Sequence, residues 1–184
     1  GHLLAAGDAH AELSLDRLVF VPAATQPLKA GKVGATAEQR LEMVEAMVQG
    51  DRRFDVSPLE VERGGMSYTV DTLRHFAAEF PAAERVLLLG VDVVSTFAQW
   101  REPGEIVRLA RPVLLVREES AIPDQLAGAP VQRLRTRRVD VSSTEIRQRV
   151  KDGASIRGFV TDAVGELIRP WEKLAAQLGE TGGA

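Results

Sequence analysis

Short apolar, β-branched runs alternate along this chain with segments of helical spacing, and that alternation constrains the fold more than any other feature. It is typical of an α/β domain with a mostly parallel sheet, because each strand has to return through a crossover helix. The sequence predicts strands over residues 17–22, 54–61, 86–90, 113–116 and 132–141. We therefore expect a doubly wound, Rossmann-like sheet with helices on both faces, forming a single domain over residues 1–178.

The segments between the predicted strands carry apolar residues on one helical face, which indicates core-facing helices rather than a cofactor box. Residues 118–130, rich in Ala, Pro and Gly, are predicted to form a surface loop, and residues 179–184 a disordered tail. The predicted core residues of the helices are Leu41, Met43, Val44, Met47 and Val48; Val70, Leu73, Phe76 and Phe80; Ile106, Leu109 and Ala110; and Val164, Leu167, Ile168, Trp171, Leu174 and Leu178.

Composition excludes several classes of function. The chain has 184 residues and no cysteine, which rules out disulfides, thiolate metal sites and a cysteine nucleophile. Its three histidines show no metal-ligand spacing, so no protein metal site is expected. A net charge of −3 without a long basic run argues against a nucleic-acid partner. No apolar stretch approaches the ~20 residues that span a bilayer, and no secretory signal is visible, so we expect a cytoplasmic protein without a membrane partner.

Polar segments follow several predicted strands, at residues 22–29, 63–69, 90–92 and 142–147. In doubly wound sheets, ligands bind in the crevice at the carboxyl ends of the strands. This convergence predicts a single site for small-molecule ligands.

The run SSTEIR, at the start of a predicted helix, combines hydroxyls, backbone N–H groups and a guanidinium. Ser142, Ser143, Thr144 and Arg147 together favour a polyphosphate site. A capping box formed by Ser142 and Glu145 is an equally good interpretation of these residues, and the two can coexist.

Motifs spread over nearly the whole chain carry a resemblance to a known family. In order, they are Gly-His-Leu, DRLVFVPA, PLK, RLEM, FDVSPLEVERGGMSYTVDTL, LLLGVDVVSTFAQW, VSSTEIRQRV, DGASIRGFV and DAVGELI. The chain thereby resembles the bacterial nicotinate-nucleotide (nicotinic acid mononucleotide) adenylyltransferases of the HxGH nucleotidyltransferase superfamily. SYTVDTL and SSTEIR, with G-x-D and F-x-x-W between them, are the specific part of the match.

The resemblance implies transfer of AMP from ATP to nicotinate mononucleotide, which yields deamido-NAD and pyrophosphate in NAD biosynthesis. The attacking group is already a phosphate oxygen, so catalysis needs positioning and charge neutralisation rather than a protein base. ATP is the implied cosubstrate, and the implied Mg²⁺ is held through phosphates and water.

The family's ATP-binding residues map onto three segments of this chain, of which two contact the phosphates. The resemblance implies that Ser143, Thr144 and Arg147 contact the ATP phosphates, and that His2 matches the second histidine of H-x-G-H. His2 and Arg147 are thus the expected catalytic residues. Gly1-His2 could also be a remnant of cloning.

Three further residues are assigned in the loops after strands. Gly90 and Asp92 correspond to the family's G-x-D, which belongs to the ATP-binding residues and whose aspartate lies near nucleotide hydroxyls. Asp92 could instead cap the following helix. Lys29 is assigned to substrate phosphates, and it could equally be an exposed loop lysine.

The remaining substrate-binding residues are Tyr68, Thr69 and Trp100. Tyr68 and Thr69 match a loop whose N–H groups hold the nicotinate carboxylate, although Thr69 could simply cap its helix. Trp100 matches the tryptophan on which the pyridine ring stacks, although it could instead be a core residue.

The family's opening strand and its G-G-x-F-D-P-x-H turn have no counterpart in the sequence. We expect the natural protein to contain them, because a sheet without its central strand leaves backbone groups unpaired. Two alternative functions stay open: another adenylyltransferase of the superfamily, such as the phosphopantetheine type, and a non-catalytic nucleotide-binding module. A homo-oligomer is compatible with the sequence.

Overall fold

Parallel strands connected by helices form the frame of the molecule in a computed structural model, which describes residues 1–27, 35–116, 122–137, 141–168 and 170. Two single-turn 3₁₀ helices span Val91–Val93 and Phe97–Gln99. The helices are α1 (His2–Glu12), α2 (Ala37–Val48), α3 (Leu59–Arg63), α4 (Thr69–Glu79), α5 (Pro103–Leu109), α6 (Ser143–Lys151) and α7 (162–168). The strands are β1 (Leu18–Phe20), β2 (Phe54–Val56), β3 (Val86–Gly90), β4 (Arg111–Val116), β5 (Gln125–Leu126), β6 (Ala129–Pro130) and β7 (Gln132–Arg135).

The longer strands pair in parallel, as the sequence predicts. β1 pairs with β2, while β3, β4 and β7 form a three-stranded sheet in that order. No strand of the described ranges joins the two sheets, so the single sheet of the prediction is here two sheets. Both contribute side chains to one apolar cluster, which unites them in a single core.

Side chains of β4 alternate between two core clusters on opposite faces of the three-stranded sheet. Leu114 packs in a cluster with residues of α4 and α5. Val113 packs in the other, with residues of α1 and α2. Because successive residues of a strand point to opposite faces, helices cover both sides of this sheet. The predicted α/β architecture is confirmed.

Two predicted boundaries are wrong. The strand predicted over residues 54–61 ends at Val56, and α3 begins at Leu59. Pro58 is the N-cap of α3, where its missing N–H removes no helical bond. The strand predicted over residues 132–141 ends at Arg135; residues 138–140 lie outside the described ranges.

The segment predicted as a surface loop at residues 118–130 contains the hairpin of β5 and β6. Its turn residues Ala127 and Gly128 have φ of 46° and 84°, the left-handed pair that suits a two-residue hairpin. Leu126 is 5% exposed and belongs to the α4–α5 cluster, so the hairpin is anchored in the core.

The structure tests two of the predicted apolar helix faces, that of α4 and that of the last helix. Phe80 is 41% exposed and lies just beyond α4, where it stacks on Phe76, so its assignment to the core is wrong. The last helix is described over residues 162–168, where Val164 is buried as predicted. Its predicted continuation to Leu178 and the tail at residues 179–184 lie outside the described ranges.

Candidate active site

The carboxyl ends of β3, β4 and β7 lie at one edge of the sheet, since Gly90 is in register with Leu115 and Val116 with Arg135. The segments that leave this edge carry most of the predicted site residues. Gly90 leads into the turns that reach Trp100, and β7 leads towards α6.

The start of α6 is capped on one side only. Ser142 Oγ accepts a hydrogen bond from the Glu145 N–H at 3.0 Å. No described contact returns from the Glu145 side chain to the Ser142 N–H, so half of the capping box is present. The N–H groups of Ser143 and Thr144 have no acceptor among the described residues. Both N–H groups are therefore available to an anion at the positive end of the helix.

A cation lies beside these N–H groups. Arg147 Nη2 is 3.3 Å from Thr144 Oγ1, and Ser143, Thr144 and Arg147 are all exposed. Positions three and four residues apart share a helix face, so the two hydroxyls and the guanidinium form one polar surface. The structure thus brings together the three residues predicted to bind phosphate.

The helix that begins at His2 is attached to the segment before α6. Asp8 accepts hydrogen bonds from Arg137 Nη2 at 2.9 Å and from the Arg137 N–H at 3.2 Å. The backbone hydrogen bond from Arg137 is the main reason that the pKa of the Asp8 carboxyl lies below its ordinary value. His2 is exposed at the first position of α1, after the N-cap Gly1.

The Asp92 carboxylate occupies the space that a side chain at residue 90 would need. A Cβ atom at Gly90 would collide with the Asp92 carboxylate, which folds back over the end of β3. Asp92 is exposed and makes no side-chain cap bond to the 3₁₀ helix that contains it, so the capping interpretation is wrong. Its oxygens accept no hydrogen bond from the described residues, which leaves them open to ligand hydroxyls.

The start of α4 has no side-chain cap. Tyr68 is the N-cap residue, and Thr69 is the first residue inside the helix, so Thr69 does not cap it. The N–H groups of Thr69 and Val70 have no acceptor in the described part of the chain, whereas those of Asp71 and Thr72 bond to the Tyr68 carbonyl. Val70 is completely buried, so the Thr69 N–H is the donor that a ligand at this second positive helix end can reach.

Trp100 and Tyr68 pack on the same apolar cluster. Trp100 is half-buried, with its ring 5.2 Å from that of Phe97. The Arg101 guanidinium lies 4.9 Å from the centre of the Tyr68 ring and 3.4 Å from Asp71 Oδ2. Tyr68 and Trp100 thus pack against one cluster, and Arg101, the chain neighbour of Trp100, contacts the Tyr68 ring.

A charged network that the sequence does not reveal supports this pair of segments. Arg74 of α4 bonds to Glu102 and Glu105, each at 2.6 Å, and to Asp71 at 3.2 Å. The hydrogen bonds from Arg74 lower the pKa of Glu105. Glu102 has a φ of 52°, a left-handed conformation, and its side chain bonds to Arg74. Only the Asp71–Arg74 spacing could have been recognised from sequence.

Three further observations concern Lys29, metal binding and membrane crossing. Lys29 is one of residues 28–34, which lie outside the described ranges. The described residues contain no group of three or more His, Asp or Glu side chains that could hold a metal ion. Of the helices described, none is long and apolar enough to cross a membrane.

The cytidylyltransferase-like family model matches residues 1–149. A probable nicotinate-nucleotide adenylyltransferase of Gemmatimonas aurantiaca is 45% identical over 175 residues, covering 91% of this chain and 82% of the relative. A relative of the same description from Thermus thermophilus is 43% identical over 164 residues, with 89% and 86% covered.

Solved structures show the same fold. The Plasmodium falciparum nicotinic acid mononucleotide adenylyltransferase complexed with NaAD superposes with a TM-score of 0.71 at 15% identity, covering 92% of this chain and 87% of the other. A putative nicotinate-nucleotide adenylyltransferase of Vibrio parahaemolyticus gives 0.58 at 19% identity, with 88% and 81% covered. The chain belongs to the cytidylyltransferase-like family and, by its close relatives, to the nicotinate-nucleotide adenylyltransferases.

Proposed function

We propose that the protein transfers AMP from ATP to nicotinate mononucleotide, forming deamido-NAD and pyrophosphate. The observation that carries the proposal is a pair of helix starts whose first N–H groups have no acceptor among the described residues. One, at Ser143 and Thr144, lies beside the cation Arg147. The other, at Thr69, follows Tyr68, which packs against the same apolar cluster as Trp100. Two anion sites of this kind suit a reaction between ATP and a mononucleotide that carries a carboxylate.

The reaction requires few catalytic groups from the protein. A phosphate oxygen of the mononucleotide attacks the α-phosphorus of ATP, and the bond from that phosphorus to the bridging oxygen breaks to release pyrophosphate. No proton has to be removed from the attacking oxygen, so no general base is required. We assign the binding of the ATP phosphates to Arg147 and to the N–H groups of Ser143 and Thr144. The same groups stabilise the negative charge that develops on the departing pyrophosphate.

Mg²⁺ fits this site as a companion of ATP. The described residues offer N–H, hydroxyl and guanidinium donors at the α6 start rather than a carboxylate cage. Mg²⁺ commonly keeps several waters and binds through substrate phosphates, and it supplies charge neutralisation when bound. His2 is proposed to contact the triphosphate, and Lys29 to contact substrate phosphate.

The mononucleotide is assigned to the start of α4. The nicotinate carboxylate accepts a hydrogen bond from the N–H group of Thr69, and the pyridine ring stacks on Trp100. Nicotinamide mononucleotide would place its own N–H₂ group against this donor, so the acid is the preferred substrate. Asp92 is assigned to nucleotide hydroxyls.

The test is pyrophosphate release by the purified protein, with ATP and nicotinate mononucleotide as substrates. Parallel reactions replace the acceptor with nicotinamide mononucleotide or with 4′-phosphopantetheine. We expect release chiefly with nicotinate mononucleotide. Release with phosphopantetheine alone would overturn the proposal in favour of that type of adenylyltransferase. A folded protein that binds deamido-NAD without turnover would establish a binding module instead.

A further inference from the structure

Buried polar side chains gather around one loop. Among the described residues, four polar or charged side chains are buried, and three of them flank or belong to residues 64–68: Glu60, Ser67 and Thr72, which are 7%, 8% and 7% exposed. Burying a polar group costs free energy unless a hydrogen bond compensates for it. Their concentration next to the start of α4 therefore calls for a physical explanation.

The first contact joins the two ends of the loop. Thr72 Oγ1, near the start of α4, donates a hydrogen bond to Glu60 Oε1 in α3. Between them the chain turns at Gly64 and Gly65, whose φ values of 66° and 67° favour glycine. The Glu60–Thr72 bond thus fixes how α3 and α4 approach each other across this turn.

The second contact fixes the middle of the loop. Ser67 Oγ accepts a hydrogen bond from the Ala24 N–H at 2.9 Å, and the Ser67 N–H donates to the Thr25 carbonyl, also at 2.9 Å. One residue thereby makes both a donor and an acceptor contact with the segment that follows β1. These two hydrogen bonds therefore fix the position of the backbone that leads into Tyr68 and Thr69, the next two residues in the chain.

The segment that receives Ser67 is itself held by α2. Arg40 Nη2 donates to the carbonyls of Ala23 and Ala24 at 2.6 and 2.8 Å, and Arg40 Nη1 donates to the Ala35 carbonyl at 2.5 Å. Hydrogen bonds to a charged donor are stronger than neutral ones. A continuous set of bonds therefore runs from α2 through Ala24 to Ser67.

We propose that Ser67 and the Glu60–Thr72 pair are positioning residues for the mononucleotide. They orient the Tyr68 ring and the N–H group of Thr69 without touching the ligand. Their burial prevents direct contact, while hydrogen bonds to a carboxylate depend strongly on donor direction. This inference rests on the proposed function, because it assigns a substrate to the start of α4.

The experiment compares Thr72→Val, which keeps the shape but loses the hydroxyl, with Thr72→Ser, which keeps the hydroxyl. Ser67→Ala removes the acceptor for the Ala24 N–H. Ser155→Ala is the matched control, because Ser155 Oγ also accepts one backbone N–H bond, from Arg157 at 3.2 Å, on an exposed segment after α6. KM is measured separately for nicotinate mononucleotide and for ATP, together with the acid-to-amide ratio of kcat/KM.

For Thr72→Val and Ser67→Ala we expect KM for nicotinate mononucleotide to rise about tenfold, the order expected from one lost buried hydrogen bond. The acid-to-amide ratio should fall, and KM for ATP should stay unchanged. Thr72→Ser should restore the wild-type values, and Ser155→Ala should retain them. Should Thr72→Val fail to fold, as judged by its thermal transition, Ser67→Ala decides the question.

Two outcomes overturn the positioning role. One is an unchanged KM for the mononucleotide in an active, folded Ser67→Ala protein. The other is an equal rise of KM for both substrates, which would indicate a general loss of structure. Wild-type protein without any pyrophosphate release would instead refute the proposed function itself, so the two failures are distinguishable.

Discussion

The start of α6 and the start of α4 both present N–H groups that have no acceptor among the described residues, but the two starts are built differently. At α6, the cap Ser142 and the polar surface of Ser143, Thr144 and Arg147 lie within six consecutive residues. At α4, the supporting contacts are long-range, for example the bond between Ala24 and Ser67 across 43 residues. A local site depends on the residues that touch the ligand, whereas a site assembled from distant segments also depends on residues that touch only other residues.

The sharpest test of the local site is Arg147→Ala. Removing the guanidinium takes away a charge-assisted contact to phosphate, and we expect kcat/KM for ATP to fall about 100-fold. KM for nicotinate mononucleotide should change little. Steady-state kinetics with each substrate varied in turn measures both effects. Arg149→Ala is the control on the same helix, because Arg149 bonds to the Ser155 carbonyl and lies over the Phe159 ring.

Trp100→Ala should show the opposite pattern at the second site. Loss of the indole face removes the stacking partner of the pyridine ring, so KM for nicotinate mononucleotide should rise about 20-fold while KM for ATP is retained. Trp100→Phe keeps an aromatic face and should lose less. Were Trp100→Ala to impair ATP use and Arg147→Ala to impair use of the mononucleotide, the assignment of the two helix starts would have to be exchanged.

The difference between the two regions also explains what the sequence can predict. The α6 start is visible because its residues are neighbours in the chain, and the parallel strands are visible because β-branched runs alternate with helical spacing. α3 was mistaken for strand because a five-residue helix is too short to show a helical period. The bonds from Arg74 to Glu102 and Glu105 span 28 and 31 residues, and only folding brings those charges together.

A third prediction concerns the end of β3, which combines local and spatial constraints. Gly90→Ala places a methyl group where the Asp92 carboxylate lies, so the carboxylate must move. If Asp92 binds nucleotide hydroxyls, we expect kcat/KM for ATP to fall about fivefold, the loss of roughly one hydrogen bond. Gly104→Ala is the matched control, because a Cβ atom there meets no other atom within 4 Å. Equal kinetics for the two variants would remove Asp92 from the site.

The smallest expected effect concerns the attachment of α1 to the segment that leads to α6. The Asp8 side chain is only 12% exposed, and the bonds from Arg137 hold its pKa below the ordinary 3.8. A lowered pKa in the folded state stabilises the protein above the unfolded-state pKa, and this contribution disappears as the pH falls through the folded-state pKa. It is therefore complete at pH 7 and declines only below about pH 4.

Asp8→Asn removes the titrating group, so the midpoint of urea unfolding should fall at pH 7 and should drop less than that of the wild type between pH 5 and pH 3. Asp124→Asn is the control, because Asp124 pairs with Arg133 while its side chain is 95% exposed, and solvent screens such a pair. An equal decrease of the urea midpoint between pH 5 and pH 3 in wild type and Asp8→Asn would mean that the Asp8–Arg137 contact does not stabilise the fold. A smaller decrease for Asp8→Asn alone would show that the Asp8–Arg137 contact, which joins α1 to the segment before α6, stabilises the fold.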